Sequence, residues 1–252
     1  YKMDLINYWK SFNSDEWPYI HQKDNILNDK ESYRFTNYED YISSKDFGQI
    51  DSRFHFGLLP SPYCGDILNE SIYILMLNPG FSSIDYYAEQ YSKKFKEAKI
   101  NCLYQKQNVE YPFYCLNPEF AWTGGGTYWG NKLKDIIKEN SKIKKINYVA
   151  STKEIAQKIA LLELIPYHSK FYKLNKKIEE QVESSIVMKQ FVRDYVYKKV
   201  QNNNACIIIT RKVEMWNLQN HENIIAYKGG ETRAASLTLK SRGGSKIFDF
   251  LN

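Results

Sequence analysis

The run Ile72-Tyr73-Ile74-Leu75-Met76-Leu77 stops abruptly at Asn78-Pro79-Gly80. A short apolar run without polar alternation reads as a strand buried on both faces, the kind found in a parallel sheet covered by helices. Pro and Gly end it, and the carboxyl ends of such strands are where open α/β sheets keep their sites. Asn78 is therefore placed to offer its amide oxygen to a water or a substrate. Runs at 159–165, 205–210 and 224–227 read as three further strands. Helical patterns at 86–98, 132–138, 151–158, 174–201, 211–216 and 244–251 alternate with them. The alternation predicts an α/β fold, a three-layer α/β/α sandwich with a short central parallel sheet. Residues 5–12 read as a short helix, 53–59 as a strand and 60–65 as a tight loop. No linker or repeat interrupts the chain, so one domain over 1–252 is expected, with an N-terminal extension (1–60) and an insertion (85–122).

Charge and cysteine usage narrow the function. The net charge of +6 attracts polyanions mildly, far short of a protein that coats DNA. Lysine outnumbers arginine heavily; the only arginines are Arg34, Arg53, Arg193, Arg211, Arg233 and Arg242, and those near glycine-rich loops are better candidates for specific contacts than any lysine. Twenty-one tyrosines can reflect a compositional bias of the proteome, or a need to stack on bases. Cys64, Cys102, Cys115 and Cys206 lack any Cys-x-x-Cys or Cys/His spacing, which argues against zinc and iron–sulfur sites. No metal and no cofactor are expected. Without an apolar run of 18 residues or a signal peptide, the expectation is a soluble, cytoplasmic protein with no membrane partner.

Several polar residues stand at strand exits or in glycine-rich segments. Gly124-Gly125-Gly126 fits neither the dinucleotide fingerprint nor the Walker A pattern, and reads as a hinge or a ligand-contacting loop ahead of Tyr128 and Trp129. His168 follows the second strand. It is either a structural hydrogen-bonder or a site residue, and with no Gly-x-Ser-x-Gly elbow a serine hydrolase is disfavoured. Glu163 lies inside an apolar run and must face either a buried partner or a pocket, because an unpaired buried carboxylate costs several kcal/mol. Arg233 and Ser236 follow the fourth strand, and parallel packing brings all these strand ends together.

Taken together, Asp66-Ile67-Leu68, the apolar strand and Asn78-Pro79-Gly80-Phe81-Ser82-Ser83 resemble the first motif of the uracil-DNA glycosylase superfamily. The likeness is strongest to its mismatch-specific uracil/thymine branch. Gly126-Thr127-Tyr128-Trp129, the strand exit at 160–169 and the 233–236 loop follow in the family's order. The resemblance implies that fold and a DNA glycosylase, in repair or defence, that flips a base, modified bases included, out of DNA. Asn78 would hold the attacking water. Gly80, Phe81, Tyr128 and Trp129 would wall the pocket, Glu163 and His168 would line it, and Glu163 would read the base. Arg233 and Ser236 would meet the flanking phosphate or the departing base. Met76 replaces the family's Gly, and Thr232-Arg233-Ala234-Ala235-Ser236 replaces its leaving-group motif. Those departures keep open a second reading, a catalytically silent member that binds nucleic acid or a nucleotide in defence or regulation, and a third, an unrelated α/β enzyme. A carboxylate at 163 would suit an amino- or hydroxyl-bearing base better than the imide edge of uracil.

Overall fold

In the computed structural model, which describes residues 2–27 and 32–252, the apolar runs become adjacent strands. Residues 1 and 28–31 of the expected N-terminal extension lie outside the described residues. Two short strands, β1 (Ser32–Tyr33) and β2 (Phe54–His55), pair in parallel on their own. The main sheet holds β3 (Tyr63–Cys64), β4 (Ile72–Met76), β5 (Ile159–Glu163), β6 (Cys206–Ile209) and β7 (Ile224–Ala226). Its spatial order is β3-β5-β4-β6-β7. All neighbours run parallel except β3, which pairs antiparallel with β5. Every residue of β5 and β6 is buried, as a strand covered on both faces requires.

Helices surround this mixed α/β core. They are α1 (Lys2–Lys10), α2 (Tyr38–Ser43), α3 (Ile84–Tyr91), α4 (Lys93–Leu103), α5 (Gly124–Lys144), α6 (Tyr148–Ala156), α7 (Lys176–Glu179), α8 (Glu183–Phe191), α9 (Tyr197–Gln201), α10 (Glu231–Ala234) and α11 (Arg242–Leu251). A π-helical turn at Val192–Val196 joins α8 to α9. Helix α5 packs against α6 and α11, while α1 packs against α8. In the N-terminal region Phe54 and Phe56 form a second apolar cluster with Ile165, Tyr167 and Val182.

The elements depart from the sequence expectations in instructive places. The helix expected over 86–98 is two helices, because Ser92 leaves helical geometry and its side chain accepts from Phe95 N to start α4. The tight loop at 60–65 contains the antiparallel edge strand β3, so the sheet is mostly rather than wholly parallel. Residues 53–59 give only the two-residue β2, and 211–216 only a single 3₁₀ turn, Val213–Met215. The single helix read over 174–201 is divided into α7, α8 and α9.

The largest correction concerns the glycine-rich segment. It is not a loop but the first turn of α5, capped by Thr123, whose hydroxyl accepts from Gly126 N at 3.0 Å. A methyl group on Gly126 would meet Phe120 O at 2.0 Å, and one on Gly124 would meet Asp85 Oδ1 at 2.9 Å. Close packing, not a hinge, explains those two glycines.

Candidate functional site

A cavity of about 1460 Å³ opens at the carboxyl ends of β4, β5 and β6. In chain order the four parallel strands lie 2-1-3-4, so β4 and β6 flank the point where successive connections depart in opposite directions. The insertion forms part of the cavity wall and does not fill it: Phe95, Lys99, Tyr114, Cys115 and Trp122 all face it. Asn78, Gly80, Phe81, Tyr128, Trp129, Glu163, His168, Arg233 and Ser236 all border this one cavity.

Asn78 is held in one orientation. Its Nδ2 donates to Ser169 Oγ at 2.9 Å and Pro79 O at 3.0 Å, with Tyr167 O at 3.4 Å and Ser169 O at 3.5 Å. Backbone carbonyls only accept, so the amide cannot be flipped. Its Oδ1 has no donor among the described residues, and the half-buried side chain borders the cavity. The frame around it is stitched by Leu164 N to Met76 O, Ile165 N to Leu77 O and Ser169 N to Pro79 O.

His168 supports the same turn. Its Nδ1 lies 2.8 Å from Gly80 O and must carry the proton, which leaves Nε2 to accept from Lys99 Nζ and Ser61 Oγ, each at 3.2 Å. Burial, and then the Lys99 ammonium, push the imidazole well below its ordinary pKa, so it stays neutral. Lys99 is itself buried and paired with Glu89. Asp85, on α3, also borders the cavity: it accepts from Ser82 N at 2.7 Å, and burial pushes its carboxyl up to about 6.

Glu163 behaves differently from these paired groups. It is 4% exposed, its Oε2 has no hydrogen-bond partner among the described residues, and burial alone drives its carboxyl well above the usual range. Met76 sits beside it in register on β4, and Thr210, just past β6, donates to Met76 Sδ at 3.2 Å. Met76 thus forms part of the floor and leaves the cavity open.

The aromatic residues divide into two kinds. Tyr128 is 41% exposed at the cavity, whereas Trp129 is buried and meets Phe113 edge-on at 5.3 Å. Adjacent helical residues point about 100° apart, so only Tyr128 offers a broad face. Phe81 has one ring face stacked on His55 at 3.6 Å. Trp122 and Phe171, 45% and 56% exposed, add apolar surface at the mouth.

The rim is cationic. Lys132, Lys170, Arg211, Lys212 and Arg233 border the cavity. Lys132 Nζ is bound to the carbonyls of Ala234 and Ala235 at 2.8 Å, and Arg211 Nε donates to Thr232 O. Arg233 is exposed and its guanidinium has no partner among the described residues. Residue-by-residue reading missed Asp85 and Thr210, and the burial of Lys99 against Glu89 and His168. Thr210 follows β6 as Asn78 follows β4, so the same strand-end rule reaches it; nothing in the sequence marks Asp85 or the burial of Lys99.

No protein-family profile, curated protein or solved structure matches the chain. Among the described residues, no helix is long and apolar enough to cross a membrane, and no group of three or more His, Cys, Asp or Glu side chains is arranged to hold a metal ion.

Proposed function

We propose that this chain is a DNA glycosylase-like protein of the uracil-DNA glycosylase superfamily, acting on an unpaired base drawn into the cavity. The observation that carries the reading is Asn78. Three carbonyls and Ser169 hold its amide nitrogen, so its oxygen is left to accept from a water at the carboxyl end of β4. Glycosidic cleavage is largely dissociative: the bonding pair leaves with the base, and water then joins C1′. Such a reaction needs a positioned water and charge stabilisation more than a strong nucleophile. Tyr128 supplies a stacking face, and Arg233, without a partner among the described residues, a guanidinium for a phosphate, the two features a flipped-base binder needs.

The strand order supports the same architecture. With crossovers of the usual right hand, the connections from β4 to β5, and back across β4 to β6, would lie on opposite faces of the sheet, as the three-layer sandwich implied by the resemblance requires. The motif order along the chain and the convergence of its residues on one cavity support the same reading.

The test is a panel of single- and double-stranded oligonucleotides carrying natural, deaminated and alkylated bases, incubated with the protein and then cleaved at abasic sites by alkali. The proposal expects alkali-labile sites at one class of base. Absence of such sites with every base, alongside retained DNA binding, overturns it in favour of the catalytically silent reading.

A further inference from the structure

The floor of the cavity is a row of three side chains on neighbouring strands. Glu163 ends β5, Met76 sits opposite it on β4, and Thr210 follows β6 on the other side of Met76. All three border the cavity. We propose that this row reads the edge of an amino-bearing nucleobase and rejects the imide edge of uracil and thymine. The inference rests on the proposal that an unpaired base enters this cavity.

Hydrogen-bonding capacity decides which edge fits this row. Among the described residues, Glu163 Oε2 is buried without a partner and no cation compensates the carboxyl. An acid kept neutral by burial offers one donor and one acceptor. Thr210 gives its proton to Met76 Sδ, so its oxygen remains as an acceptor. The row therefore offers one donor and two acceptors, and its complement is a ligand with one acceptor and two donors. Adenine has N1 and two amino hydrogens, cytosine N3 and two amino hydrogens, and guanine O6 with N1–H and N2–H. Uracil and thymine present two acceptors around one donor, which leaves one buried acceptor of the row unpaired and opposed to a carbonyl. An unpaired buried polar group is what makes polar sites selective.

The dimensions agree. Residues two strands apart lie about 10 Å apart at a strand spacing of 4.7–4.9 Å. A base edge roughly 4–5 Å wide with a hydrogen bond of about 2.9 Å at each end spans the same gap. Met76, between the two polar residues, supplies the apolar surface beneath the middle of that edge. Tyr128 lies within electrostatic reach of both Glu163 and Arg211 and borders the same cavity, so the aromatic face and the polar row belong to one chamber.

The experiment is equilibrium binding to single-stranded 9-mers in which one central nucleotide carries a base and the flanking sugars are abasic tetrahydrofuran residues. Tryptophan fluorescence reports occupancy, because Trp122 and Trp129 border the cavity. Strands bearing dA, dC or dG should bind roughly 10-fold or more tightly than those bearing dU or dT, the discrimination of one bidentate pair. N4,N4-dimethyl-dC should fall to the dU level. Glu163→Gln, an isosteric amide that keeps one donor and one acceptor, should preserve the preference, and Glu163→Leu and Thr210→Val should each erode it to about 3-fold or less. Equal or tighter binding of dU, a preference untouched by Glu163→Leu, or no base dependence overturns the inference. The assay needs no cleavage. Preference without excision removes only the enzymatic reading, while uracil excision without the preference removes only this one.

Discussion

At the scale of single residues, the site sets side chains tied to the backbone beside a buried carboxyl oxygen that has no partner among the described residues. Asn78 and His168 are tied to backbone carbonyls and read as fixed parts. Glu163 is the exception, and it carries a stability cost with a definite sign. Its folded pKa lies above the unfolded value, so the folded state holds the extra proton and loses relative stability as pH rises from about 4.5 toward the folded pKa. Glu163→Gln removes that loss. The variant should therefore gain on wild type as pH rises above about 4.5 toward the folded pKa, by up to about 1.4 kcal/mol per pH unit in thermal unfolding. A difference independent of pH would mean that Glu163 is paired in solution. Reading the sequence left two fates open for this residue, a buried partner or a pocket, because an apolar run shows burial but not what faces the side chain.

At the scale of elements, the strands were legible and the local role of the glycines was not. Uniform apolar runs at 72–77, 159–165 and 205–210 mark β4, β5 and β6 because a strand covered on both faces has no polar alternation to hide it. The strand β3 was hidden among Pro60, Pro62 and Gly65, which carry turn signals. The first turn of α5 was hidden because three glycines oppose helix propensity, and only tertiary contacts with Phe120 and Asp85 reveal why they are there. Helix α5 contains its own control. Gly126→Ala drives a methyl group into Phe120 O and should destabilise by about 3 kcal/mol. Gly130→Ala, four residues on and facing open space, should stabilise by up to about 1 kcal/mol. Denaturant midpoints of the two variants should move in opposite directions; a shift in the same direction would contradict the packing described for this helix.

At the scale of the whole molecule, residues distant in sequence converge because parallel strands discharge their carboxyl ends at one edge of the sheet. That convergence was legible from strand order alone, and it gathers Asn78, Glu163, His168 and Arg233 around one cavity. The cavity wall built by the insertion was not, since its aromatic residues have no period that tells core from surface. The cationic rim on a chain of net charge +6 predicts salt-dependent binding of single-stranded DNA. Arg233→Ala should reduce the slope of log affinity against log salt by about 0.7, the contribution of one phosphate contact, and an unchanged slope would take Arg233 off the nucleic-acid path. If the Asn78 oxygen positions the attacking water, single-turnover excision reads that role directly. On the best substrate of the base panel, Asn78→Ala should lower the rate by about 10²–10³-fold while strand affinity stays within about 3-fold of wild type. Excision by the variant at the wild-type rate would contradict the account.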